Sequence, residues 1–455
     1  MNKWVTLIAL ACAILAPRVR ADEPLPWTVG VAKIDITPTE PTWMAGYASR
    51  NRAAEGTAQP LWAKALAVTD AENNTVVLVS AEVIGLTREI GDEVAGQVES
   101  RLALPRSHLV LASTHTHSGP VVASCAGIAH RMDEAGVASA DRYQRELTEK
   151  LVRVIVEAHA ARRPARLYLG ESEAHFAVNR RLPEGERIVM KPNPDGPVDP
   201  TVPVLVAKTP DGEPMAILFG YACHNTTLDP QIYLYNGDYA GFAQATLQQR
   251  HPTATAMFLA GCGADANPIG RSAGLDVAQK HGRSLADAVD RALGGDLREI
   301  RGPLRVALKR VDLPLVDPPD RETLTSLAQS KDVYRARLAQ KLLGEIESRG
   351  QLPAASSCPV QVVRFGKDWA LVALGGEVVV DYALRLKKEL ADRPHWTAGY
   401  CNEVFGYVPS ERVLAEGGYE AEFSQIYFGW HGPYRPGLEA KIVQAVKDLM
   451  GTTEP

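Results

Sequence analysis

The sequence predicts an α/β protein: a mixed β-sheet core flanked by helices, with a metal site at the carboxyl ends of strands. Three observations predict it. Short β-branched and apolar runs alternate with amphipathic helical segments over most of the chain. Histidines and an acid stand just past three of those runs, where α/β sheets usually take their ligands. The chain has 455 residues, 45% hydrophobic and 23% charged, which is ample for a core without disulfide or metal staples.

The elements follow in chain order. Residues 1–21 read as a secretory signal peptide: a basic start at Lys3, a largely apolar run over 5–16, and Val19-Arg20-Ala21 as the cleavage site. Export to a secreted or periplasmic location is the expectation. Residues 76–80 form a β-branched and apolar run ending in Ser80, the pattern of a buried strand. Helical spacing over 89–102 and a second strand over 108–112 follow. Leu147, Leu151, Val154 and Ile155 share one face of a helix over 142–160. Residues 166–170, 204–207 and 216–221 read as strands, and 191–202, rich in Pro, Asp and Gly, as a surface loop. A helix over 238–250 leads to a strand over 256–260, and a helix over 273–293 to a strand over 304–313. A long charged helix is expected over 322–350, a strand over 369–374 and a helix over 378–390. No period of 20–50 residues repeats, so a solenoid is excluded. The expected organisation is the signal peptide and one catalytic domain, residues 22–455.

The chemistry-bearing residues sit after strands. Ser113-Thr114-His115-Thr116-His117-Ser118-Gly119-Pro120 follows the strand over 108–112. In extended chain, residues two apart share a face, so spacing alone brings both His115 and His117 to one metal ion. His224 stands just past the strand over 216–221, in Cys223-His224-Asn225. Its neighbour Cys223 points to the opposite face and forms no dyad with it. Asp238 is expected to cap the helix that it begins. Gly375-Gly376-Glu377 presents a carboxylate at a helix start, and Gly417-Gly418-Tyr419-Glu420 presents a tyrosine from a glycine-rich turn. Imidazole and carboxylate ligands with an open position for water suit catalytic zinc. The sequence has no HExxH motif, GxSxG elbow or phosphate-binding loop, so thermolysin-like, serine-hydrolase and nucleotide chemistries lack support.

Taken in order, these islands resemble the N-terminal catalytic domain of the neutral/alkaline non-lysosomal ceramidase family. The resemblance begins at Val29-Gly30-Val31-Ala32-Lys33-Ile34-Asp35-Ile36-Thr37-Pro38 and Met44-Ala45-Gly46-Tyr47. It continues through Val79-Ser80-Ala81-Glu82, the Ser113–Pro120 stretch, Val178-Asn179-Arg180, Cys223-His224, Gly237-Asp238, Gly376-Glu377 and Gly418-Tyr419-Glu420. It implies a zinc amidase that cleaves N-acyl-sphingosine with metal-activated water. It implies His115, His224, Glu377 and Tyr419 as zinc ligands, and His117 and Arg180 as contacts to the scissile amide. That moves His117 off the metal, against the spacing argument. Tyr427, eight residues past Tyr419, is a further candidate for substrate contact. Family members are typically longer and carry a C-terminal immunoglobulin-like domain, which this chain is expected to lack. The alternatives are a metal-dependent hydrolase of another amide or ester, and a non-catalytic exported binding protein on the same scaffold.

Partners are bounded by charge and hydropathy. The formal net charge is −5, which excludes a strong basic field for nucleic acid. No internal apolar run reaches the ~18 residues of a membrane span. The expected partner is a small-molecule or lipid amide, with contact to a membrane surface at most peripheral and no obligate protein partner. Cys12 leaves with the signal peptide. The remaining Cys125, Cys223, Cys262, Cys358 and Cys401 cannot all pair within one chain.

Overall fold

The structure, a computed structural model, describes residues 27–123 and 125–451; the signal-peptide expectation lies outside the described residues. The larger of two main sheets runs in the order Thr255–Ala260, Pro214–Tyr221, Thr201–Lys208, Arg163–Glu173, Trp27–Asp35, Trp62–Asp70, Thr75–Ala81 and Leu109–Ser113, with Arg298–Ile300 beside Arg163–Glu173. The pair at each end is parallel and the pairs between are antiparallel, so the sheet is mixed.

Period-two alternation sends side chains to two different layers. Val77 and Val79 face helices Arg88–Leu102, Glu134–Ala160, Asp238–Arg250 and Leu275–Gly294. Val76 and Leu78 face the second sheet, where they pack with Val363, Phe365, Leu371 and Ala373. That sheet runs Leu304–Pro314, Ala355–Phe365, Trp369–Leu374 and His395–Ala398. Its other side, through Val360, Val362, Val372 and Leu374, is covered by helices Val380–Glu389 and Leu438–Gly451. The result is four layers, helix–sheet–sheet–helix. Runs such as Thr75–Ala81 are buried at every position and apolar at most of them, because both faces are covered.

The larger sheet curls until its two ends meet. Ser80 Oγ donates to Phe258 O at 2.5 Å, and Lys64 Nζ donates to Ala256 O at 2.9 Å. The second sheet is stitched to both edges by bridges between Gly261 and Ala398 and between Ala112 and Cys401. The carboxyl ends of strands Leu109–Ser113, Pro214–Tyr221 and Trp369–Leu374 therefore reach one place.

Several elements differ from expectation. The long helix over 322–350 is two, Arg321–Leu327 and Val333–Arg349. Asp320 caps the first through Thr323 N, and Asp332 caps the second through Tyr334 N and Arg335 N. The helix expected over 142–160 begins at Glu134, capped by Asp133; its first turns are too rich in Ala and Gly to show an apolar stripe. Part of the expected loop over 191–202 belongs to strand Arg187–Asn193, which pairs with Ala177–Glu184. Asp238 does not cap its helix. Gly237 is the cap residue, and Asp238, at φ 54°, accepts from Tyr239 N and Leu228 N. The five described cysteines are buried free thiols.

Candidate metal centre

His115 follows strand Leu109–Ser113 in the left-handed region, at φ 61°. A non-glycine residue held there costs roughly 1–3 kcal/mol, and such strain clusters at functional sites. It is fixed by its N–H to Val83 O at 3.1 Å and its ring Nδ1 to Ile84 O at 2.6 Å. The turn breaks strand alternation, so the same-face argument from spacing does not apply. Both rings nonetheless enter one cavity: His115 Nε2 and His117 Nε2 are 3.2 Å apart. The second histidine loop is tied to the first. His117 N donates to Asn225 O, and Asn225 Nδ2 donates to Thr114 O. This places His224, whose Nδ1 meets Gly263 O at 3.0 Å.

The two carbonyl contacts fix the chemistry of the rings. A carbonyl only accepts, so Nδ1 of His115 and of His224 each carries a proton, and each Nε2 presents a lone pair inward. Glu377 completes the group: its Oε2 lies 3.2 Å from both Nε2 atoms and has no hydrogen-bond donor of its own. Burial, then Arg180, pushes the His224 imidazole down to about 4. Burial, then the neighbouring His115, also keeps His117 neutral. Gly376 lets the chain reach Glu377, because at φ 83° a Cβ there would meet Val408 Cγ2 at 2.6 Å. The ligand-type nitrogens of His115, His117 and His224 lie within 4.8 Å of one another, close enough for one metal ion. An orphaned carboxylate oxygen beside two inward lone pairs fits a bound cation.

Arg180 closes one side. It is buried, with Nε donating to Glu420 Oε1 at 2.7 Å and a terminal nitrogen donating to the Tyr407 hydroxyl at 3.1 Å. Burial works against its charge, but Tyr407 and Glu420 keep it protonated. Glu420 also binds the buried Arg181 at 2.5 Å. The Tyr407 hydroxyl is 3.4 Å from His224 Nε2, and its ring stacks on His224 at 12°. Tyr419 stands edge-on to Tyr407 at 5.4 Å, and Tyr427 lies farther along the wall. His115, His117, Glu377, Tyr407, Tyr419 and Tyr427 line a single cavity of about 240 Å³.

All seven candidate site residues thus come together here. Tyr407 and Glu420 were missed as functional positions. Tyr407 reaches the site because it is the register partner of Glu377 across a short parallel pair, a contact no local pattern announces. Glu420 adjoins Tyr419 in sequence, and only its two buried arginine partners distinguish it.

A model of the neutral/alkaline non-lysosomal ceramidase N-terminal region matches residues 27–268. The chain is similar to a neutral ceramidase of Pseudomonas aeruginosa, 26% identical over 251 residues, covering 52% of this chain and 36% of the relative. It is likewise similar to neutral ceramidase A of Dictyostelium discoideum, 26% identical over 239 residues, 50% of this chain and 32% of that one. The matched segment thus spans about a third of each curated relative's length. A crystal structure of the Pseudomonas aeruginosa neutral ceramidase shares the fold at TM-score 0.71 and 20% identity, covering 94% of this chain and 74% of that chain. Glu377, Tyr419 and Tyr427 lie beyond the segment matched by the family model.

Proposed function

The chain belongs to the neutral/alkaline non-lysosomal ceramidase family, and from that membership we propose that it is an exported, zinc-dependent amidohydrolase acting on a ceramide-like N-acyl amide. One observation carries the reading: two inward imidazole lone pairs stand 3.2 Å from a carboxylate oxygen that has no other partner. An unpaired carboxylate oxygen in a buried site is unfavourable unless a cation completes it. Imidazole with carboxylate suits zinc, and Tyr419 from the same wall is the fourth ligand in this reading. Bound there, the metal supplies Lewis acidity toward the amide carbonyl and activates water.

The remaining steps belong to the chain's own groups. Arg180, clamped by Glu420 and Tyr407, holds a fixed positive charge where the amide oxygen gains negative charge. His117 faces the ligand pair and contacts the scissile amide. Tyr427 contacts the substrate farther out. The cavity is smaller than the ~300–1,000 Å³ that encloses a drug-sized ligand, so it receives the amide and a short acyl chain. The rest of a lipid substrate stays outside, near exposed Met190 on the pocket lip, which supports peripheral contact with a lipid surface.

The test is sphingosine release from a short-chain N-acyl-sphingosine by residues 22–455, with and without a zinc chelator, alongside metal analysis. Chelator-sensitive release by zinc-loaded protein is expected. Zinc-loaded protein without release would discard ceramide, and protein that takes up no metal would discard the metal reading. Export is tested by mass spectrometry of extracytoplasmic protein, expected to begin at Asp22.

A further inference from the structure

Helices Arg321–Leu327 and Val333–Arg349 form a hairpin with a small core of its own, where Leu324, Ala339, Leu342 and Leu352 are buried together. A different face of the longer helix meets the body of the protein. It carries Tyr334, Arg337 and Lys341, spaced three and four residues apart and so aligned in one stripe. Each reaches a different part of the metal pocket's wall from behind. The Tyr334 ring packs edge-on against Tyr427 at 5.5 Å, and its hydroxyl donates to Ala48 O at 2.9 Å. Arg337 donates to Ile128 O at 2.8 Å, His130 O at 2.6 Å and Gly127 O at 3.4 Å. Lys341 lies against Gly429, where an added Cβ would meet its Cε at 2.8 Å. The stripe does not line the cavity itself, but Ala48, Ala126, Ala129, His130, Tyr427 and Phe428 do.

We propose that this stripe sets how long an alkyl chain the pocket accepts, by clamping those wall segments around its apolar end. The inference rests on the amidohydrolase reading and narrows it to amides with short acyl chains. A guanidinium forked onto three carbonyls of one loop is a rigid tie, because its donors are fixed in one plane. Ala126 and Ala129 are small, so a chain pressing on them is resisted through Arg337 rather than by bulk at the wall. Only Ala339 and Leu342 of this helix are buried, and both belong to the hairpin's own core. Cutting the stripe therefore frees the wall without dismantling the main core.

The test compares kcat/KM across N-acyl-sphingosines of increasing acyl length for the wild type, Arg337→Ala and Tyr334→Ala. The wild type is expected to favour short chains. Both variants should shift the long-to-short ratio toward long chains by ~10-fold, the scale of discrimination by a confined apolar pocket. Zinc content should stay unchanged, and amide exchange at residues 126–130 should quicken in Arg337→Ala. Tyr334→Phe keeps the ring on Tyr427 and should retain the wild-type ordering. An unchanged ratio in folded Arg337→Ala overturns the proposal. Should that variant not fold, Arg337→Gln and Tyr334→Ala carry the same comparison. Should the wild type hydrolyse none of the series, the functional reading fails. The proposal is then judged on calorimetric affinities for octanamide and hexadecanamide: a ratio moved by Arg337→Ala sustains it, and a ratio left unmoved overturns it.

Discussion

Replacing Glu420 by glutamine removes one negative charge from between two buried arginines. Glu420 Oε1 accepts from Arg180 at 2.7 Å and Oε2 from Arg181 at 2.5 Å, and all three side chains are nearly inaccessible to solvent. Arg181 keeps a second acid, Glu416 at 3.0 Å. Arg180 keeps only neutral partners, the Tyr407 hydroxyl, Asn267 and His224. Glu420→Gln therefore strands a buried cation, and breaking a buried pair from one side costs about 3–5 kcal/mol. Urea unfolding measures this as a lower midpoint at unchanged slope. Adding Arg180→Met to Glu420→Gln should recover part of the loss, with a coupling of roughly 0.5–3 kcal/mol for groups in one network. Activity should fall further than zinc content, because Arg180 loses the partner that aims it. A loss below ~1 kcal/mol, well under the range for a broken buried pair, would show that Arg180 is compensated elsewhere and that the clamp is misread.

His115→Ala and His224→Ala should each abolish both bound zinc and hydrolysis, whereas His117→Ala should keep the metal and lose activity; zinc loss in His117→Ala, read by mass spectrometry, would make it a ligand. Tyr407→Phe removes the hydroxyl that accepts from Arg180 and stands 3.4 Å from His224. It should lower kcat by about 10–100-fold with little change in KM, as for other groups that orient a metal site. His130 is pushed by burial, then by Arg337, down to about 4 from 6.5. The unfolded chain then binds more protons between those values, so stability is full above pH 6.5 and falls as pH drops toward 4. His130→Gln should remove ~3 kcal/mol of that slope, seen as the difference between the two acid-unfolding curves.

The sequence made the α/β class and most strand ends legible, since runs such as Thr75–Ala81 and Leu109–Ser113 are buried on both faces and carry their own signature. Strands Trp27–Asp35 and Trp62–Asp70 escaped notice because charged Lys33 and Lys64 interrupt them. Lys64 is tolerated inside because Gln244 and Ala256 O accept from it, a cross-sheet arrangement with no local trace. Spacing brings His115 and His117 to one candidate metal site and the structure places both there, but through a left-handed turn at His115, held by Val83 and Ile84 from another segment, rather than through strand alternation. Glu377 and Tyr419 stand out in their glycine-rich turns, but their assignment as ligands rests on resemblance, since no local pattern separates a ligand from an ordinary turn residue. Tyr407 depended on strand pairing thirty residues away in sequence and had no signal at all.

The meeting of the two sheets also bears on the order in which the molecule comes into being. His115 and His224 hang from opposite ends of the curled sheet, and Glu377 from its neighbour. On the proposed ligand set, no early, local stretch of chain can hold an ion, because His115 and Glu377 are separated by more than half the sequence. The site comes into existence only when the curl has closed and the second sheet has docked. An ion bound there holds that last junction shut, and it adds stability to the finished protein in proportion to the logarithm of its own concentration.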